Sequence, residues 1–179
     1  MFLLVALSFW LSRYIQRGDG GADDSKRHDP DMIVENFAAK ALDGTGDVQY
    51  TLGATKMRHY ADDDSSELEN VTFSAFRRDQ PPLIATSPKA DLTRHANGED
   101  EVTMSGGVIV RTAATDAHPE MTLKTPTLTV LPNQNVARSV AGVVVDSTAG
   151  RLTAKSFELN NATRKIVFQN AKMVYQHAN

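Results

Sequence analysis

The amino-acid sequence predicts an all-β domain preceded by a single N-terminal hydrophobic helix. Beyond Met32, apolar and polar residues alternate with a period of two, and turn residues recur about every 8 to 12 residues. Apolar residues at helical spacing are missing after the first 17 residues. Short strands with one buried face, separated by regular turns, are typical of sandwiches and barrels. We expect an open, twisted β-jelly roll or short β-solenoid of antiparallel strands.

The composition excludes several classes of protein. The chain has 179 residues, with 19 basic and 22 acidic side chains, so its net charge of −3 gives no general attraction for nucleic acid. It contains no cysteine. Disulfides, thiolate zinc sites, a cysteine nucleophile and a lipid anchor on cysteine are therefore excluded.

Residues 1–17 are interpreted as an uncleaved membrane anchor. The run from Met1 to Leu11 is almost wholly apolar, and it has neither a preceding basic segment nor a small-residue cleavage site. As a helix, the stretch to Ile15 reaches roughly 22 Å, less than the bilayer core of about 30 Å. We therefore expect the anchor to be incomplete at its N-terminus. The alternative is a buried core helix.

Residues 18–31 are interpreted as a linker. The segment from Gly18 to Ser25 reads GDGGADDS, which is flexible and acidic, and Pro30 disfavours helix at Asp29. The folded domain is therefore expected over residues 32–177.

The first strands of this domain follow a turn at Asp43–Gly46. Alternating residues predict a strand over Val48–Ala54 and another over 68–75, which charges and a proline pair end at 77–82. Asn97-Gly98 predicts a hairpin, and Gly106-Gly107 predicts a bulge or bend. Further strands are expected over 83–92, 102–110, 121–130, 143–145, 152–159, 166–168 and 174–175.

Three segments form a weak internal repeat. Residues 83–92, 123–131 and 151–160 each place an apolar residue several positions after a central Thr or Ala, and each leads into a polar turn. Repeated strand–turn–strand units stack edge to edge, and the open ends of such a stack leave unpaired strand edges.

One cluster of potential metal ligands is His59, Asp62, Asp63 and Asp64, and a second candidate is His28 with Asp29 and Asp31 in the linker. The first lacks the alternating aspartates and the glycine of a calcium loop, so we interpret it as a solvated turn. His28 has no positioned third group beside it. Motifs for a serine nucleophile, a zinc protease or a phosphate-binding loop are also missing from the sequence. We predict no catalytic residue, no metal and no cofactor; a carbohydrate-active or metal-dependent enzyme is the least favoured alternative.

Several motifs in order resemble the lipopolysaccharide-export protein C family, LptC. They are Pro30-Asp31, Glu35-Asn36-Phe37, the strand with Gly46, Tyr50, Leu52 and Ala54, His59-Tyr60, and the later segments 102–110, 123–139 and 151–168. The resemblance covers roughly residues 29–175. The sequence departs from the family in its shorter anchor and in Gly106-Gly107, where the family has Gly-Asn.

The resemblance implies a component of lipopolysaccharide transport and outer-membrane biogenesis, held in the inner membrane by one N-terminal helix with its bulk in the periplasm. Such a protein accepts lipopolysaccharide from an inner-membrane ABC transporter like LptBFG and passes it to an LptA-like bridge protein. The alternative is a scaffold that links transporter and bridge by its strand edges, with a filled core and no bound lipid.

The resemblance and the alternation together suggest two kinds of site. The expected lipid-binding residues share one sheet face: Tyr50, Leu52, Phe73, Met104, Val108, Leu123, Val130, Phe157, Leu159 and Phe168. The expected partner edges are Val48 and Ala54 on the transporter side, and Lys172, Met173 and Tyr175 on the bridge side.

Overall fold

The computed structural model describes residues 28–77, 80–95, 98–115, 119–160, 162–163 and 165–175. These form a sheet of 12 strands with antiparallel pairing, together with a short 3₁₀ helix at Pro132–Gln134, which confirms the all-β prediction. The expected anchor and most of the linker lie outside the described residues. Within the described part of the chain, no helix has the length and hydropathy needed to cross a membrane.

The strands are named in chain order. They are β1 Met32–Leu42, β2 Val48–Tyr60, β3 Ser65–Arg77, β4 Gln80–Arg94, β5 Asp100–Thr112, β6 Met121–Leu131, β7 Val136–Ser139, β8 Val143–Ser147, β9 Gly150–Ala154, β10 Ser156–Asn160, β11 Lys165–Gln169 and β12 Lys172–Tyr175. Strands β1 to β6 pair in sequence order. Beyond β6 the sheet divides: one branch continues through β7, β10 and β11, and the other through β8, β9 and β12.

The long strands bend near their middles along one line across the sheet. The pairing of β1, β3, β4 and β5 is interrupted at Asn36, Asn70, Pro88 and Gly106-Gly107. Gly106 and Gly107 have φ of 85° and 100°, a conformation that glycine adopts without strain. A Cβ on Gly106 would also lie 3.3 Å from the Pro88 ring.

This bend line divides the sheet into two half-sheets. The first half-sheet contains 37–42, 48–54, 71–77, 80–87, 108–112 and 121–125, with β8, β9 and β12. The second contains 32–35, 56–60, 65–69, 89–94, 100–105 and 127–131, with β7, β10 and β11. Their apolar faces pack on each other, because one buried cluster includes Val71 and Val108 from the first and Leu68 and Met104 from the second.

The predicted turn at Asp43–Gly46 and the hairpin between β4 and β5 are present. The Asp43 carboxylate accepts hydrogen bonds from the Thr45 hydroxyl at 2.6 Å and from the Thr45 backbone N–H at 2.8 Å. These bonds hold the pKa of Asp43 below its usual value. The three repeated segments all pass from the first half-sheet to the second, crossing the bend line at Pro88, Pro126 and Lys155.

Three features differ from the sequence prediction. Strand β1 was not predicted. Asn36 has a φ of 54° and interrupts the strand, so the inward-facing apolar positions are three residues apart, at Val34 and Phe37, and the period of two is lost. The proline pair at 81–82 was expected to end a strand, yet it lies at the beginning of β4. Strands β2 to β6 are also longer than the short strands expected from the turn spacing. Each of them bends near its middle but stays paired with its neighbours on both sides of the bend.

Candidate lipid cleft and sheet edges

An apolar cleft lies between the half-sheets on the side where the sheet divides. Its volume is about 140 Å³. Nearly all of its lining side chains are aliphatic or aromatic. From the first half-sheet they are Tyr50, Phe73, Ala75, Leu83, Ala85, Val110, Met121, Leu123 and Val145; from the second and its adjoining turn they are Leu128, Val130, Leu131, Pro132, Asn135, Val136, Ala137, Phe157, Leu159, Ile166 and Phe168.

The cleft wall on the first half-sheet is built by strand register. Directly opposed residues of neighbouring strands point to the same face, so one inward residue on each strand gives a continuous row. We call this the apolar row: Ala39, Leu52, Phe73, Ala85, Val110, Leu123, Val145, Leu152 and Met173. No polar side chain interrupts it on any of the nine described strands that it crosses.

Seven of the ten expected lipid-binding residues line this cleft. They are Tyr50, Phe73, Leu123, Val130, Phe157, Leu159 and Phe168. Two aromatic pairs line the cleft. The rings of Tyr50 and Phe73 are stacked with their centroids 5.6 Å apart, and the rings of Phe157 and Phe168 are tilted relative to each other with their centroids 6.2 Å apart. The rings are held in fixed positions by strand pairing, since Phe157 lies directly opposite Phe168.

The other three expected residues lie elsewhere. Met104 and Val108 have 0% and 1% of their surface exposed and belong to the closed core. Leu52 is half-buried and packs against that core without lining the cleft. The assignment of Met104 and Val108 to a lipid surface is therefore corrected: both lie on β5, where the long bent strands pack the half-sheets tightly together.

Sequence reasoning missed several lining residues, including Leu83, Met121, Val145 and Ile166. The signal for two of them was present in the alternation. Ile166 lies two positions before Phe168, and Leu83 two positions before Ala85, so each shares an inward face with a neighbour on its own strand.

The free edge at the N-terminal end of the sheet is β1. Strand β2 pairs with β1 on one side and β3 on the other, so Val48 and Ala54 lie on an interior strand. Ala54 is also 8% exposed and part of the core. The expected edge at Val48 and Ala54 is therefore wrong. The outer side of β1 has no strand partner among the described residues, and it exposes Ile33 and Leu42.

Two short strands provide the edges at the other end. Among the described strands, β12 pairs only with β9 and β11 only with β10. Met173, Val174 and Tyr175 of β12 are exposed, as is Ile166 of β11. Apolar residues on an unpaired edge are typical of a strand that another strand covers.

The polar cluster of the β2–β3 turn is the solvated turn that the sequence predicts, with residues 61–64 exposed, but His28 joins it. His28 Nδ1 lies 3.0 Å from Asp62 Oδ2, and the His28 ring stacks on Tyr60 with centroids 4.0 Å apart. His59 instead contacts Ser66, its Nδ1 3.2 Å from the hydroxyl oxygen. His28 therefore does have positioned neighbours, contrary to expectation.

The ligand atoms of His28, Asp62 and Asp63 lie within 4.8 Å of one another, and all three residues are exposed. The hydrogen bond between His28 and Asp62 raises the pKa of the imidazole and lowers that of the carboxyl. The arrangement is that of a surface ion pair, which holds the chain before β1 against the β2–β3 turn.

Comparisons with known proteins agree with this architecture. The family model described as lipopolysaccharide-assembly, LptC-related, matches residues 1–176. Among solved structures, the chain is similar to LptH of Pseudomonas aeruginosa, the LptA homologous periplasmic component of its lipopolysaccharide transport device. The TM-score is 0.54 at 12% identity, covering 72% of this chain and 95% of LptH. A search of curated sequences finds no match.

Proposed function

Since the chain belongs to the LptC-related family of lipopolysaccharide-assembly proteins, we propose that it accepts lipopolysaccharide from an inner-membrane ABC transporter and passes it to a periplasmic bridge protein. Membership makes it a component of lipopolysaccharide transport with a periplasmic β-jelly-roll domain. The proposal adds the direction of transfer, a transporter like LptBFG, a bridge protein like LptA, and a membrane anchor at residues 1–17.

The cleft between the half-sheets carries this proposal. Its lining is apolar on both walls, and burying each methylene of an acyl chain there contributes about 0.8 kcal/mol. The volume of about 140 Å³ is small beside the roughly 300 to 1,000 Å³ of typical ligand pockets. Acyl chains therefore enter after the half-sheets move apart, and the short strands beyond β6 are the part that moves.

The free edges supply the two docking sites. An exposed edge binds an extended segment through backbone hydrogen bonds, which add a strand to the sheet. We assign β1 to the transporter side, in place of the interior strand β2, and β12 to the bridge protein. A lipid chain moving between partners then follows the cleft from one end of the sheet towards the other.

A scaffold that joins both partners without binding lipid is the second candidate. The narrowness of the cleft favours it, because a cleft that stays closed is simply the margin of the core. The two candidates make the same prediction for the edges. They differ only in whether lipid reaches the inner face.

A photo-cross-linking experiment separates them. The photoreactive residue p-benzoylphenylalanine replaces Phe168 in the full chain, expressed in cells that make lipopolysaccharide. The matched control carries it at Val167, the next residue, which lies outside the cleft on the opposite face of β11. Transfer predicts a lipopolysaccharide adduct at Phe168 and little at Val167. Equal labelling at both positions, or none at Phe168 while the partners still bind, supports the scaffold.

A further inference from the structure

A second row of side chains crosses the first half-sheet, one step nearer to the open end of the strands than the apolar row. We call it the mouth row: Ala41, Tyr50, Ala75, Leu83, Thr112, Met121, Ser147, Gly150 and Tyr175. Tyr50, Leu83 and Met121 line the cleft. The mouth row therefore marks where the apolar lining gives way to hydroxyl groups.

Thr112 occupies the middle of this row. It lies directly opposite Leu83 on β4 and Met121 on β6, and Val110, two residues earlier on the same strand, also lines the cleft. Because opposed residues and alternate residues share a face, the Thr112 side chain faces the cleft side of the sheet.

The Thr112 hydroxyl is buried and has no hydrogen-bond partner within the described part of the chain. Buried side-chain oxygens nearly always have one. The hydroxyls of Thr125 and Ser139 at the bend line, for example, lie 2.7 Å apart in a hydrogen bond. On the mouth row, Ser147 donates to the carbonyl of Gly150 at 3.4 Å. Thr112 thus presents a desolvated donor between two aliphatic side chains.

We infer that Thr112, which lies next to the cleft lining between Leu83 and Met121, is a specificity-determining residue that donates a hydrogen bond to the carbonyl oxygen joining an acyl chain to its polar head. The inference rests on the proposed lipid-binding function. The mouth row lies two residues, or about 6.6 Å, from the apolar row along each strand. An acyl chain that contacts the apolar row therefore places the end nearest to its polar head at the mouth row. An ester or amide carbonyl there is an acceptor, and a threonine hydroxyl is a donor that complements it.

The test compares two lipids that differ only in this carbonyl. The full chain is held in detergent micelles with equal concentrations of lauroyl lysophosphatidylcholine, an ester, and its dodecyl ether analogue. Native mass spectrometry then gives the ratio of the two bound forms. One neutral hydrogen bond predicts an ester preference of about three- to tenfold for the unmodified chain.

Three variants make the result specific. Thr112→Val replaces the hydroxyl by a methyl group of the same shape and should bring the ratio to about one, with no loss of thermal stability. Thr112→Ser keeps the hydroxyl and should keep the preference. Thr122→Val is the matched control, since Thr122 faces the outer side of β6 opposite Arg111 and Asp146.

An ester preference that Thr112→Val removes and the other two variants retain supports the inference. Equal binding of both lipids by the unmodified chain overturns it, and so does a preference that survives in Thr112→Val. In both cases lipid binding itself stands. Failure of both lipids to bind also overturns the inference, and the adduct at Phe168 then decides the proposed function separately.

Discussion

From β3 to β6 the two half-sheets are joined by strands that run through the bend, whereas beyond β6 each half-sheet is built from its own short strands. The joined region holds the largest fully buried side chains: Leu68, Val71, Met104 and Val108. The separated region holds Leu159, Ile166 and Phe168, which line the cleft and stay partly exposed. The same alternating pattern therefore gives a closed core beside the bend of the joined strands, and a cleft further from the bend that the separated strands help to line.

The largest expected effect is on stability in the joined region. Leu68→Ala removes a side chain that is 2% exposed, so it should lower the free energy of unfolding by about 3 kcal/mol. Leu159→Ala in the separated region should cost less than about 1.5 kcal/mol, because Leu159 is only partly buried beside the cleft. Equilibrium urea denaturation measures both values. Equal losses would show that the cleft wall is as tightly packed as the core.

The next effect concerns the point where the sheet divides. The Thr125 hydroxyl contacts Ser139 Oγ and the Gly142 carbonyl, each at 2.7 Å, between the sites where β6 pairs with β7 and with β8. Thr125→Val removes both hydrogen bonds, leaving Ser139 Oγ with only the Ala141 N–H as a partner among the described residues, and should lower stability by about 1 to 3 kcal/mol. It should also speed amide hydrogen exchange in β7.

The outward Thr122→Val is the control for that substitution, with an expected change within about 0.5 kcal/mol. If both variants behave alike, the hydroxyl pair at the bend does not hold the two branches in place.

A third effect should appear in partner binding and hardly in stability. Deleting residues 172–179 removes β12, whose described residues are exposed and pair only with β9. We expect the bridge protein to bind much more weakly in a pull-down, because the assigned edge is gone. A chain that ends at Tyr175 keeps β12 and should bind normally. If the chain that lacks residues 172–179 still binds the bridge protein fully, the bridge site lies on β11 or elsewhere.

The smallest effect is the pH dependence of the pair between His28 and Asp62. A raised histidine pKa contributes stability below the unfolded value of about 6.5 and loses it as pH rises through the folded value. The lowered pKa of Asp62 contributes stability above about 3.9, lost as pH falls through the folded value. The pair is therefore strongest at mildly acidic pH. Asp63 and Glu67 add weaker attraction for the imidazolium.

NMR titration of the imidazole tests this pair. The pKa of His28 should lie above that of a free histidine, and Asp62→Asn should return it towards about 6.5. If Asp62→Asn leaves the pKa of His28 unchanged, the contact between His28 and Asp62 is contradicted.

The alternation of apolar and polar residues predicted which side chains face inward. It did not predict the features that depend on which strands pair, namely the separation of core from cleft and the identity of the edge strand. Period two was enough to place Phe73, Phe157 and Phe168 on one inward face. It did not separate them from Met104 and Val108, because core and cleft residues share the same alternation, and only the packing of the two half-sheets distinguishes them. The edge strand was misplaced for a related reason: Asn36 interrupts the alternation of β1, so β2 seemed to come first.

The contact of His28 with Asp62 joins positions 34 residues apart and has no local signal. The carboxylates were noticed in the sequence. Their partner was not, because it lies before the first strand and reaches the β2–β3 turn only when β1 pairs with β2.

The apolar row has a consequence for how a lipid travels. It crosses nine strands, and at a strand spacing of about 4.8 Å it extends about 38 Å. A chain sliding sideways along it leaves one patch of methyl, methylene and phenyl groups only to meet another, so successive steps are nearly isoenergetic. Under the proposed function, a lipid would therefore move along the row without a preferred direction. The sheet would then act as a passive track, and net flow would be set by how one end is filled and the other emptied.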